Sequence, residues 1–361
     1  MPNNIQPVLD SLKQKWNDAR STVFAVRAET GDGAVRLIGE VLESAQRAET
    51  EQAIRRAAPG AQVVNDIAVL SRPDNPCGLV RRALANLRRT PDNAAELLAQ
   101  GLFGEPVELI KHEPKDNWWL VRLADGYLGW LEESCLYVCD RETAQAYRAS
   151  ATALVVAELP ATFSGWVVAG GNEPEGLRSG RLPFGVPVTV AERHLGMVRV
   201  NWKGEPPVWV CESDLIPMSR RPRPDAAGIA RSLDLMGRFV GVPYLWGGET
   251  PFGYDCSGFA QTMMEFMGVS VPRDADQQFM AGQAVEGEPQ PGDLLFFSGN
   301  SDDDPTVRHA SITHVAVSLG GTEFIHSTGY VWGVTRNSLD PASPIYRAWL
   351  KDHLAGVRRF V

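Results

Sequence analysis

The chain has 361 residues, 44% of them hydrophobic and 22% charged, a composition that excludes a disordered chain and supplies apolar material for several cores. A single core stops growing before about 250–300 residues, so two to four domains are expected. With 35 Lys and Arg against 44 Asp and Glu, the net charge of −9 argues against a nucleic-acid binder or a protein held on an anionic membrane.

The first twenty residues, MPNNIQPVLDSLKQKWNDAR, lack the basic leader, apolar stretch and small-residue cleavage site of a secretory signal. No window approaches the roughly 18–20 apolar residues of a membrane span. A cytoplasmic location is therefore expected. Cys77, Cys135, Cys139, Cys211 and Cys256 are odd in number and scattered, the pattern of reduced thiols. Cys135 and Cys139 have no neighbouring Cys or His to complete a zinc tetrahedron and read as core residues. With no metal-ligand cluster and no glycine-rich phosphate loop, neither metal nor cofactor is expected.

Residues 5–19 carry Ile5, Val8, Leu9, Leu12 and Trp16 at the spacing of an amphipathic helix. TVFAVRAE and AVRLIGEV around TGDG predict a hairpin, SAQRAETEQAIRRAA a helix stopped by Pro59 and Gly60, and AQVVNDIAVL a strand. This α/β unit, residues 1–72, resembles in GAVRLIGEV and APGAQVVNDI the small BON domain of bacterial envelope and osmotic-stress proteins. Residues 77–100 read as helix or loop, with Arg81, Arg82, Arg88 and Arg89 as a solvated basic stripe. From residue 101 the character changes to short β segments, EPVELIK, NWWLVRL and GYLGWLEES, with turns at KDN and ADG. GVPVTVAER, GMVRVNW and PVWVCESDLIP repeat the plan about 80 residues later, an internal duplication. The two sets, 77–140 and 141–218, each resemble a bacterial SH3-like small barrel. SRRPRPD reads as a linker, which leaves 226–361 for a last domain.

In DCSGFAQTMMEFMG, Phe259, Met263, Phe266 and Met267 share one helical face and Gly268 suits the C-terminal stop. Cys256 then sits at a helix N-terminus, where unpaired N–H groups and the macrodipole favour a thiolate, with Asp255 as cap. A buried structural thiol is the plainer alternative unless a base is found. ITHVAVSLGGTEFIHSTG predicts a β-hairpin. A three-residue loop, Leu319 to Gly321, sets His314 directly opposite His326, with Cβ atoms about 5 Å apart. A two-residue loop pairs His314 with Ser327 and turns the histidines to opposite faces. In the first register one histidine is a base and the second orients it.

DCSGF, VPRDADQQ, QPGDLLFF, THVAVSLG and FIHSTG, in that order, resemble the NlpC/p60 cysteine peptidases of bacterial cell-wall peptides over about residues 235–361. The resemblance implies a papain-like fold within an α+β chain, Cys256 as nucleophile, His314 as general base and His326 as orienting third member. It also implies that Tyr244, in YLWGG, joins the Cys256 N–H in binding the oxyanion. SGNSDDDPTVRHAS, 298–311, departs from the family as a longer acidic loop, and its His309 reads as solvated. NLRRTPDNAAELLAQGLFGEPVELI followed by GYLGW resembles the first barrel of a subgroup that cuts freed murein peptides between D-glutamate and the diamino acid. In that subgroup the barrel narrows the cleft to peptides with a free N-terminal L-alanine. The matching positions for its ammonium are Tyr127, Asp255 and Glu105, with Ser257 beside the scissile bond. The expected partner is thus a small murein peptide. A noncatalytic envelope-binding protein and an acyltransferase or amidase on the same scaffold are the rival readings.

Overall fold

The computed structural model describes residues 4–31, 33–167, 175–299 and 312–361. The acidic segment 300–311, with His309, lies outside them. At the N-terminus helix α1 (Ile5–Lys15), strands β1 (Phe24–Gly31) and β2 (Ala34–Val41), helix α2 (Ser44–Ala57) and strand β3 (Gln62–Val69) follow the expected order. β2 pairs antiparallel with β1 and parallel with β3. Ile5 and Leu9 of α1 and Ile54 of α2 bury against Val35, Leu37, Val41, Val63 and Ile67 on the sheet. The 3.6- and 2-residue periodicities thus meet in one core.

Residues 77–100 are not helix or loop but strands, β4 (Cys77–Val80), β5 (Leu84–Arg88) and β6 (Leu97–Leu102). The alternation is weak because Cys77 to Val80 are buried on both sides. With β7 (Pro106–Glu113), β8 (Trp118–Arg122), β9 (Leu128–Glu132) and β10 (Leu136–Cys139) they form a seven-stranded sheet in the order β10-β4-β7-β8-β9-β5-β6. No pairing joins the two edge strands among the described residues, so the sheet is not the closed barrel expected. The arginine stripe is likewise engaged: Arg81 and Arg82 pair with Glu205 in the second set, and Arg89 with Glu96.

After helix α3 (Arg141–Ala149) the second set divides into two sheets. β11 (Ala153–Val155) lies between β14 (Pro187–Val188) and β18 (Leu215–Pro217). β12 (Ala161–Val167), β13 (Glu175–Arg181), β15 (Val190–His194), β16 (Met197–Val200) and β17 (Val208–Cys211) form the other. One detail recurs in the two sets: a strand, a single 3-10 turn and a further strand, with the turns at Glu133–Cys135 and at Glu212–Asp214.

The last part begins with α4 (Ala226–Met236) and the short ribbon β19 (Glu249–Thr250) and β20 (Gly253–Tyr254). α5 (Cys256–Phe266) and α6 (Ala275–Ala281) then pack on a sheet of order β21-β26-β22-β23-β24-β25. Its strands are β21 (Gln283–Ala284), β22 (Leu294–Ser298), β23 (Ile312–Gly320), β24 (Glu323–Thr328), β25 (Gly333–Ser338) and β26 (Leu354–Arg359), with α7 (Ala348–Asp352) before β26. Phe259, Met263, Phe266 and Met267 are buried against Val315, Val317 and Ile325 of the sheet, as their spacing predicts, and Gly268 stops the helix at φ +85°. The chain is a mixed α+β protein. No helix among the described residues is long and apolar enough to cross a membrane.

Candidate functional site

Cys256 is the first residue of α5. Asp255 caps the helix through Oδ1, which accepts from the Gly258 N–H at 2.7 Å, while its Oδ2 accepts from the Gly247 N–H at 2.9 Å. The glycine after Ser257 is required by space, since a Cβ at Gly258 would lie 2.3 Å from the Gly248 carbonyl oxygen. Backbone can therefore pack tightly against the first helical turn and hold the cysteine in place. The thiol is buried, and this burial, together with the Asp255 charge, pushes it up to about 12. The neighbouring Val315 and Ser257 N–H groups and Arg273 pull the other way and lose. The lowered thiol pKa expected at a helix end is thus reversed: desolvation outweighs the macrodipole.

The two histidines expected as base and orienting partner are on the hairpin of β23 and β24. Val317 faces Ile325 and Ser318 faces Phe324, with a bulge before Gly320 faces Glu323. This register differs from the three-residue-loop expectation by two positions. His314 and His326 are diagonal neighbours on one face instead of directly opposed, and a slip by two keeps the parity that matters. The rings meet with His314 Nε2 2.6 Å from His326 Nδ1. His326 Nε2 in turn lies 2.9 Å from Asn337 Oδ1, and the Asn337 amide is oriented because its Nδ2 donates to the Ile345 carbonyl at 2.9 Å.

This chain of contacts assigns the protons. Asn337 Oδ1 can only accept, so His326 carries its proton on Nε2 and accepts at Nδ1. His314 must then donate from Nε2, which leaves its Nδ1 lone pair as the basic atom. The Val315 N–H, next in the chain to His314, lowers the Cys256 thiol pKa, so strand β23 runs past the thiol at the start of α5. Asn337 was not anticipated, since one asparagine in GVTRNS carries no sequence signal.

Burial holds His314 well below its usual value, with the facing His326 adding to the effect, and lowers His326 to about 4 against the pull of Asn337. Both imidazoles are therefore neutral at pH 7. The unfolded chain binds protons on these histidines near pH 6.5 and the folded chain does not, so stability is full above that pH and is lost as pH falls. For His326, 1% exposed, the difference amounts to about 3 kcal/mol between pH 7 and pH 4. Urea unfolding at the two pH values should show a smaller loss in His326→Asn than in the parent; an equal loss would remove His326 as the cause.

Cys256, Tyr244, Asp255, Ser257 and Tyr127 line one cleft of about 530 Å³, with Glu96, Asp274, Asp276, Arg20 and Arg89 also in its walls. Glu105 is not among them. Its Oε2 accepts from the Leu102 N–H at 3.0 Å, capping the turn between β6 and β7, and burial pushes its carboxyl up to about 8. The acid of the first set that reaches the cleft is Glu96, which accepts from Trp246 Nε1 at 3.0 Å and pairs with Arg89. Tyr127 donates to Asp274 Oδ2 at 3.0 Å. Arg20, from the N-terminal unit, reaches Asp274 at 2.9 Å and Asp276 at 2.8 Å.

Beneath the cleft lies Arg273, 1% exposed, which donates to both oxygens of Asp255, to Glu249 and to Ser257 Oγ. The seven-stranded sheet docks by a reciprocal pair, Gln100 N–H to Glu249 Oε1 and Glu249 N–H to Gln100 Oε1, each 2.9 Å. Gly247, at φ +76°, sits where a Cβ would be 2.6 Å from the Leu97 carbonyl oxygen, so only glycine permits this approach. Sequence motifs named the residues of the last segment but could not say which walls the other segments supply.

The segment that holds this thiol at a helix start and this imidazole pair on a hairpin is matched by a known family. The NlpC/P60 family model matches residues 241–359, and that of the bacterial dipeptidyl-peptidase Sh3 domain matches residues 87–136. The chain thus carries an NlpC/P60 family domain together with a bacterial SH3 domain.

Among individual proteins it is similar to the gamma-D-glutamyl-L-lysine dipeptidyl-peptidase of Bacillus subtilis, 38% identical over 33% of this chain and 37% of that protein. The protein of that name from Bacillus cereus is 41% identical over 25% of each chain. The chain therefore spans between a quarter and about two fifths of the length of these two relatives. Dipeptidyl-peptidase 6 of Lysinibacillus sphaericus is 28% identical over 77% of this chain and 97% of its own. The fold is similar to the crystal structure of an NlpC/P60 family protein from Bacillus cereus, with a TM-score of 0.62, 21% identity, and coverage of 79% of this chain and 99% of that one.

Proposed function

We propose that the chain is a cysteine peptidase that hydrolyses the amide between γ-D-glutamate and a diamino acid in small murein peptides with a free N-terminal L-alanine. The observation that carries this reading is the chain of contacts from Asn337 through His326 to His314 on strand β23, with Cys256 at the start of α5 in a cleft whose lining carries excess negative charge. In the proposed reaction Cys256 Sγ attacks the scissile carbonyl carbon while His314 Nδ1 takes the thiol proton. The neutral thiol and neutral imidazole make this a concerted general-base step rather than attack by a standing thiolate. The oxyanion is met by the Cys256 N–H at the helix end and by the Tyr244 hydroxyl. His314 then returns the proton to the leaving amine, the C–N bond breaks, and water admitted against the same imidazole hydrolyses the thioester.

Four carboxylates (Glu96, Asp255, Asp274 and Asp276) and two guanidiniums (Arg20 and Arg89) line the cleft, a net charge of −2 by count. A substrate ammonium offsets its desolvation in such surroundings, whereas an acylated amine finds no partner for them. Glu96 and Asp274 take the place that the sequence reading gave to Glu105, with Asp255 and Tyr127 beside them. The names of the two Bacillus relatives support the γ-D-glutamyl bond, and the presence of thiols at all five cysteines suits a reducing compartment such as the cytoplasm.

The test is incubation with L-Ala-γ-D-Glu-L-Lys, its diaminopimelate counterpart and the N-acetylated forms, followed by mass spectrometry. Release of L-Ala-D-Glu from the free-amine peptides alone is expected. Cleavage of acetylated peptides at equal rates would remove the amine pocket and keep the relay. Transfer of the acyl group to added hydroxylamine with no hydrolysis would favour an acyltransferase.

A further inference from the structure

A second cavity, of about 630 Å³, is lined by the imidazole pair and shares no lining residue with the Cys256 cleft. His314 and His326 form part of its wall, together with Thr328, Tyr330, Arg347 and Trp349. The Arg347 guanidinium lies 4.1 Å from the centre of the Tyr330 ring, and its Nη1 donates to the Tyr330 hydroxyl at 2.9 Å. It makes no ion pair with a carboxylate among the described residues. This is a cation fixed by an aromatic face, with donors left over, beside the histidine relay. Its charge is felt there, since it contributes to lowering His326.

We propose that this cavity is the leaving-group subsite and that Arg347 binds the α-carboxylate of the diamino acid released by cleavage. The inference rests on the peptidase reading above. The proton returned to the departing nitrogen comes from His314, so that nitrogen lies within reach of His314 and the rest of the leaving group extends from it past that ring. His314 lines this cavity, and the α-carboxylate of an amino acid is two bonds from its nitrogen. A guanidinium held over the Tyr330 ring offers a fork of donors that a carboxylate fits with two parallel hydrogen bonds. Tyr330 and Trp349 give the diamino acid's methylene chain an apolar wall.

Two consequences follow. A site that reads a terminal carboxylate selects peptides ending at the diamino acid over peptides extended beyond it. A bound carboxylate also offsets the Arg347 charge, which raises the basicity of His326 and makes the relay a better proton acceptor when substrate is in place.

The experiment compares kcat/KM for L-Ala-γ-D-Glu-L-Lys, its C-terminal amide and its extension by two D-Ala residues, in the parent protein, Arg347→Gln and Arg347→Lys. The parent should prefer the free acid to the amide by about 10- to 100-fold, the range of hydrogen bonds to a charged group. Arg347→Gln should bring the acid-to-amide ratio towards one, chiefly through KM for the acid, and Arg347→Lys should recover part of it. Equal turnover of acid and amide by the parent, or an unchanged ratio in Arg347→Gln, would overturn the subsite and leave the peptidase reading standing. Hydrolysis of none of the three peptides by the parent would overturn both.

Discussion

Cys256→Ala is expected to lower kcat/KM on the free-amine tripeptide by about 10⁴-fold or more, with the fold and its unfolding midpoint kept. The side chain removed is a small thiol at the start of α5, and alanine keeps both the helix and the Asp255 cap. What is lost is the sulfur that forms the thioester in the proposed reaction. His314→Ala should cost about as much, and the double variant little more, because nucleophile and base act on the same proton in one step. Tyr244→Phe keeps the ring and removes one oxyanion donor, so a loss of about 10²- to 10³-fold in kcat is expected. Turnover by Cys256→Ala within tenfold of the parent would refute the assignment of the nucleophile.

Arg273→Leu is expected to destabilise the protein by about 3–5 kcal/mol in urea unfolding, the cost of stripping one partner from a buried ion pair. The guanidinium donates to Asp255 Oδ1 at 3.0 Å, to Asp255 Oδ2 at 2.6 Å, to Glu249 at 2.6 Å and to Ser257 at 2.9 Å. One cation faces two buried acids. Burial pushes the Glu249 carboxyl up to about 8 in spite of Arg273, which leaves Asp255 as the carboxylate most dependent on it. Without Arg273 the Asp255 charge is stranded under the cap of α5, so activity should fall even where the fold survives. Adding Asp255→Asn to Arg273→Leu should recover part of the stability by removing that charge. A loss under about 1 kcal/mol for Arg273→Leu would show that solvent or a neighbouring group compensates the charge.

The sequence by itself determined the local elements whose residues announce themselves. The faces of α1 and α5 follow from 3.6-residue spacing, the strands of the N-terminal unit from alternation, and the cysteine, cap and glycine of DCSGF from the chemistry of a helix start. The facing of His314 and His326 followed from parity alone: a register shift of two left it intact, where a shift of one would have broken it. Tertiary structure decided the rest, because those features depend on groups distant in the chain. The thiol pKa is set by how deeply Cys256 is buried and by Asp255, which outweigh the helix end that sequence shows. Glu96 rather than Glu105 reaches the cleft because the seven-stranded sheet docks through Gln100 and Glu249, a contact across 149 positions. Strand β4 escaped notice because a strand buried on both faces has no alternation to display. Asn337, Arg273 and Arg347 are single polar residues whose meaning lies only in what they face, and a chain read in one dimension does not contain that distance.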